Sequence, residues 1–127
     1  ISSDYVNVHP MGFYAFTKLS GEAFISKRTG MIIRTSFKSR GTWGPDKLPG
    51  VFHPVYTNAD WVDVIAGKIV NAICEDRRGI VNIGTERKTL LDLAVQEYPE
   101  VKVIDVKEAD TKLGYTYPRD TCMELTI

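Results

Sequence analysis

Tyr14 and Lys18 stand four residues apart in the stretch Phe13-Tyr14-Ala15-Phe16-Thr17-Lys18. On a helix, positions i and i+4 lie one above the other, so the phenol and the ammonium share a face. A free tyrosine titrates near pH ~10 and a lysine near ~10.4. A cation held beside a phenol favours the phenolate, which brings proton exchange at the tyrosine closer to neutral pH. The pattern is short and also arises by chance, so its meaning depends on what surrounds it.

The elements that must position this pair follow from periodicity. Ala15, Phe16, Leu19, Ala23 and Phe24 fall at helical spacing, which predicts a helix over 13–28 that buries one apolar stripe and stops at Thr29-Gly30. Before it, residues 1–6 read as the end of a strand running into a loop, and His9-Pro10-Met11-Gly12 as a turn. After it, Met31-Ile32-Ile33-Arg34-Thr35-Ser36-Phe37 is short, apolar and rich in β-formers, a buried parallel strand. A strand such as 32–36 needs neighbours on both edges, and these are expected from an upstream segment or another chain. Residues 38–54 are rich in Gly, Pro and charge and read as a long loop. A brief strand at Val55-Tyr56 precedes a helix reaching to about residue 76. Asn58 or Asp60 would cap it, and its apolar side holds Trp61, Val64, Ile65, Ile69, Ala72 and Ile73. Residues 79–84 form a strand between glycines, 89–97 a helix and 101–106 a strand. Strands alternating with helices make an α/β protein; the tail from Pro118 carries no clear pattern.

The bulk properties narrow the function. The 127 residues suffice for one domain with a core, and 43% hydrophobic with 25% charged residues describes a globular chain. Sixteen basic residues offset sixteen acidic ones, which gives no reason to expect nucleic acid or an anionic membrane as partner. No apolar run approaches the roughly 20 residues that span a bilayer. Cys74 and Cys122 lie far apart and read as small buried hydrophobes in a reducing, cytoplasmic compartment. His9 and His53 have no companions at metal-ligand spacing, so no metal is expected. The opening Ile1-Ser2-Ser3-Asp4-Tyr5-Val6 reads like a strand already under way, as in a piece of a longer polypeptide.

Taken in order, Ser2-Ser3-Asp4-Tyr5-Val6, Pro10-x-x-x-Tyr14-x-x-x-Lys18, Gly21-Glu22, Ile33-Arg34-Thr35-Ser36, Val81-Asn82-Ile83-Gly84 and Pro118-Arg119-Asp120 resemble the second half of an extended short-chain dehydrogenase/reductase. Among such proteins the chain is similar to dTDP-4-dehydrorhamnose reductases and related sugar-nucleotide enzymes. The resemblance covers nearly all of the sequence. It implies the C-terminal part of a doubly wound, Rossmann-like parallel sheet, as one segment over 1–127, with substrate-binding elements at about 38–60 and 99–127. It also implies NADP or NAD as cofactor and a nucleotide sugar as substrate. Tyr14 would then pass the proton at the sugar oxygen, Lys18 would lower its pKa and hold the nicotinamide ribose, and Ser3 would hold the substrate oxygen. Thr35, Ser36 and Phe37 would line the nicotinamide pocket, at a strand's carboxyl end. Trp43, His53 and Arg119 are candidate substrate contacts. Trp43 has packing of the long loop as its plainer role, and Arg34, inside an apolar strand, is expected to pair with an acid or to reach solvent.

The glycine fingerprint that cradles a dinucleotide pyrophosphate does not occur in these residues. The resemblance places it in a preceding half, which would complete the sheet as an upstream segment or another chain. The interval from Ser3 to Tyr14 is shorter than relatives have, and Ala15 stands where a Gly often follows the Tyr. An epimerase or dehydratase of the same superfamily would share the Tyr and Lys. Dehydratases place an acidic pair after the Ser or Thr, whereas Asp4 is followed by Tyr5, which favours reduction. A scaffold subunit that keeps the fold without the chemistry is the reading from outside enzymology.

Overall fold

The computed structural model describes residues 1–8, 12–25 and 28–127. Pro10 of the motif, the His-Pro-Met turn and positions 26 and 27 of the expected helix lie outside them. In chain order the described residues form β1 (Ser2–Ser3), α1 (Tyr5–Val8), α2 (Phe13–Glu22), β2 (Met31–Thr35), β3 (Phe37–Lys38), β4 (Gly50–His53), β5 (Tyr56–Thr57), β6 (Asp60–Trp61), α3 (Val62–Cys74), β7 (Gly79–Asn82), β8 (Lys88–Thr89), α4 (Leu90–Glu97), β9 (Lys102–Asp105) and α5 (Val106–Leu113). The architecture is mixed α/β. A parallel sheet in the order β1-β2-β7 stands beside the two-stranded pairs β3-β6, β4-β9 and β5-β8, of which only β5-β8 is antiparallel.

The parallel sheet sets the frame for the candidate site. Ser3 pairs with Thr35, and Arg34 lies opposite Ser2 on one side and Asn82 on the other. The strand expected to look outside for neighbours finds both within this chain, because β2 is the middle strand. The open edge belongs instead to β1. On the far side, the outer edge of β7 is met by the tail, where the Thr126 N–H donates to the Asn82 carbonyl at 2.9 Å.

The hydrophobic interior has two parts. Ile33, Ile65, Ala72, Val81 and Ile83 fill the space between α3 and the β2-β7 strands. Trp43, Val51, Trp61, Leu93, Ala94 and Val101 form the other cluster, under α4 and β4. The expected loop over 38–54 therefore contains both a strand and a core residue. β4 pairs in parallel with β9 over four residues, and Trp43 is 5% exposed with its ring edge-on to Trp61 at 6.0 Å.

Among the described residues, local signals explain where two of the five helices begin. At α4, Thr89 Oγ1 accepts from the Asp92 N–H and the Asp92 carboxylate accepts from the Thr89 N–H, a reciprocal capping box. At α5, Asp105 accepts from the Lys107 N–H, and Gly114 closes the helix at φ 73°, a left-handed conformation that costs glycine little. Sequence periodicity alone does not reveal α5. Neither Asn58 nor Asp60 caps α3: the chain forms β6 first, and Trp61 is the capping position without a side-chain bond.

Helix α2 ends six residues before the expected boundary. The N–H groups of Phe24 and Ile25 turn back to the carbonyls of Gly21 and Glu22, a tightened last turn. Of the expected stripe only Ala15 is buried, while Phe16 is 59% and Phe24 89% exposed. No apolar partner among the described residues covers that face, so little burial energy is there to extend the helix. The cysteines differ from expectation too: Cys74 is exposed and Cys122 half-buried, because Cys74 sits on the outer side of the last turn of α3. Among the described residues no helix is long and apolar enough to cross a membrane, and no group of three or more His, Cys, Asp or Glu is placed to hold a metal ion.

Candidate functional site

The carboxyl ends of β1 and β2 open onto a recess of about 530 Å3, bounded by Ile1, Ser2, Ser3, Asp4, Tyr5, Tyr14, Lys18 and the run Thr35-Ser36-Phe37. Three separate pieces of chain supply these walls. Parallel pairing of Ser3 with Thr35 brings the segments after β1 and β2 side by side, and α2 lies across them with Tyr14 and Lys18 on the facing side. Parallel strands end together, which makes this edge the ordinary place for a ligand in an α/β sheet.

Tyr14 and Lys18 meet as their spacing requires. The Lys18 ammonium lies 5.6 Å from the centre of the Tyr14 ring, within range of a cation–π contact. Tyr14 is 54% exposed, and its ring stands edge-on to Tyr5 at 6.1 Å. Tyr5 is half-buried, and burial together with the neighbouring Tyr117 phenol pushes its own phenol well above the ordinary tyrosine range. It is therefore a neutral wall of the recess. Tyr5 and Tyr14 also bound a second, more apolar recess of about 600 Å3, faced by Phe13, Tyr115 and Tyr117.

The polar groups around Ser3 are already engaged with one another. Ser3 Oγ accepts from the Tyr5 N–H and donates to Asp4 Oδ1, each at 3.2 Å. Thr35 Oγ1 donates to the Ile83 carbonyl at 2.8 Å, which leaves this buried hydroxyl able only to accept. Asp4 is buried, and loss of water pushes its carboxyl up to about 6, against hydrogen bonds from Thr121 and Ser3 that favour the charged form.

Below the recess a buried ion pair ties α2 to the sheet. Arg34 grips Glu22 with two nitrogens, Nε on Oε2 at 3.0 Å and Nη2 on Oε1 at 2.7 Å. Ser2 Oγ donates to the same Oε2 at 2.7 Å, and Arg34 Nη1 reaches Asn7 Oδ1 at 2.9 Å. Glu22 follows Lys18 by one helical turn. The carboxylate thus clamps the helix that carries Tyr14 and Lys18 onto the strands that carry Ser3 and Thr35. The acidic partner that Arg34 requires is Glu22, a pairing that the sequence alone does not name.

Ser3, Tyr14, Lys18, Thr35, Ser36 and Phe37 are brought together. Trp43, His53 and Arg119 are not among the residues that bound either recess. Trp43 is held in the interior as described. His53 ends β4, with Nδ1 buried and without a hydrogen-bond partner among the described residues. Arg119 spends its guanidinium on Asp110, with Nη1 to Oδ1 at 2.7 Å and a further bond to the Tyr117 carbonyl. Asp4, Tyr5 and Glu22 are the residues that sequence reasoning passed over. An acid directly after Ser3, and an acid one turn beyond Lys18 on the same face, are signals that could have found two of them.

No family model, curated protein or solved structure matches this chain.

Proposed function

We propose that this chain forms the substrate side of an NAD(P)-dependent sugar-nucleotide reductase of the extended short-chain dehydrogenase/reductase type, similar to dTDP-4-dehydrorhamnose reductases. The observation that carries the reading is the convergence of Ser3, Tyr14 and Lys18 with the Thr35-Ser36-Phe37 segment on one recess at the ends of parallel strands. Residues far apart in sequence meet where that chemistry needs them.

Tyr14 stands on the rim with its hydroxyl available to give a proton to the oxygen of a sugar carbonyl as charge develops there. Lys18, with its ammonium 5.6 Å from the centre of the Tyr14 ring, would offer donors to a ribose. Ser3, whose proton is directed to Asp4, would face the same sugar oxygen. A nicotinamide cofactor, NADPH or NADH, supplies the hydride to the sugar carbon when bound. Thr35, Ser36 and Phe37 would flank its ring, with Phe37, 44% exposed, as the apolar surface.

The Rossmann-like sheet implied by the resemblance would be completed at β1. That strand has one hydrogen-bonded neighbour among the described residues, and Ile1 beside it is 73% exposed. A nucleotide-binding segment pairing there would extend the sheet and carry the phosphate-cradling glycines.

The test is Tyr14→Phe in the full-length protein. Oxidation of NADPH or NADH is followed with dTDP-4-dehydrorhamnose and other keto-sugar nucleotides. Turnover should fall by at least ~100-fold, the usual worth of a positioned proton donor, while cofactor affinity is retained. Turnover that survives the change removes Tyr14 from the mechanism, and silence of the wild-type protein across the panel removes the reductase.

A further inference from the structure

A serine hydroxyl has one proton to donate and two lone pairs with which to accept. In Ser3 the proton is directed to Asp4 Oδ1, and one lone pair takes the Tyr5 N–H. What remains for the recess is a single lone pair. A ligand oxygen that meets Ser3 there must bring its own proton, as an alcohol does and a ketone does not.

We propose that Asp4 is a positioning residue which, by holding the Ser3 proton, makes the recess favour the hydroxy form of the sugar over the keto form. The inference rests on the reductase reading and adds to it a preference that the reading does not contain. In the reducing direction, the keto oxygen is then polarised by Tyr14 alone unless it draws the Ser3 proton away from Asp4.

Asp4 is well fixed for this role. It is 2% exposed, and its carbonyl accepts the Asn7 N–H at 3.0 Å, anchoring the start of α1. Thr121, in the tail and tied through its N–H to the Tyr56 carbonyl at 3.0 Å, lies beside the carboxyl and favours its charged form. With its pKa raised to about 6 it is still mainly ionised at neutral pH, and an ionised carboxylate only accepts.

The experiment is calorimetric binding of dTDP-4-dehydrorhamnose and dTDP-rhamnose to the full-length protein at neutral pH, without reduced nicotinamide. Wild type, Asp4→Ala, Ser3→Ala and the double variant are compared. Freeing the Ser3 proton in Asp4→Ala should tighten the ketone and loosen the alcohol, lowering the ratio of their dissociation constants by roughly 3–10-fold, the worth of a neutral hydrogen bond. In the double variant the aspartate change should have no further effect on the ratio. A ratio unmoved by Asp4→Ala but moved by Ser3→Ala overturns the role of Asp4 and leaves the reductase reading standing. Failure of the wild type to bind either sugar overturns both. If Asp4→Ala does not fold, carbon-13 titration of the Asp4 carboxyl in Ser3→Ala decides the matter. Loss of the donor should raise its midpoint, and an unmoved midpoint overturns the hydrogen bond on which the proposal stands.

Discussion

Removing the carboxylate of Glu22 should do more damage than any other single change near the candidate site. The side chains of Glu22 and Arg34 are 6% and 14% exposed, so both charges are largely removed from water. In Glu22→Ala the Arg34 guanidinium loses both bonds to the carboxylate, and Ser2 Oγ loses its acceptor. Breaking a buried pair by deleting one partner costs about 3–5 kcal/mol, most of it the penalty of the charge left behind. Against a typical domain stability of about 5–15 kcal/mol this is a fifth or more of the total. With a urea slope of about 1–3 kcal/mol per molar, the unfolding midpoint should fall by roughly 1–5 M. The full-length protein should be unfolded in urea as wild type, Glu22→Ala, Arg34→Leu and Glu22→Ala/Arg34→Leu. The double variant should be more stable than Glu22→Ala, because no orphaned charge remains and apolar replacement of a buried pair is often nearly neutral. A Glu22→Ala loss under about 1 kcal/mol, the range of exposed pairs, or a double-variant loss equal to the sum of the two singles, would falsify the account of Glu22 as a buried clamp.

Two further predictions concern the same fold. Asp4 has its folded pKa raised above the unfolded value, so its contribution to stability is fully present below about pH 3.8 and is lost as pH rises through about 6. By pH 7.5 ionising it costs on the order of 2–3 kcal/mol. Asp4→Asn should therefore gain on wild type between pH 4 and pH 7.5, and urea midpoints that differ by the same amount at both ends would remove burial as the cause. Trp43→Ala should destabilise the protein by about 3–5 kcal/mol through the cavity it leaves beside Trp61, with KM for the proposed nucleotide-sugar substrate unchanged in the folded fraction. A raised KM without loss of stability would return Trp43 to the list of ligand contacts.

Local chemistry was legible residue by residue. The Tyr14 and Lys18 spacing placed two functional groups on one helical face, the segment 89–97 was legible as the helix α4, and the β-branched run at 31–35 announced a parallel strand. Each depends on neighbours a few positions away, and backbone geometry alone turns such patterns into shared faces. The stripe on α2 was read correctly as apolar and incorrectly as buried. Periodicity states which side of a helix is apolar but not whether anything covers it, and Phe16 and Phe24 remain exposed.

What only the tertiary structure decided were the long-range meetings. Register between β1 and β2 set Ser3 beside Thr35, and crossing of the helix over that pair set Tyr14 and Lys18 opposite them. The choice of Glu22 as the partner of Arg34, of Asp4 as the acceptor for Ser3, and of the interior for Trp43 depended on the same packing. An ionisable or aromatic side chain has many possible partners along a chain. Desolvation selects among them only when folding removes water from a particular pair, so sequence determines the candidates and the folded interior determines which of them meet.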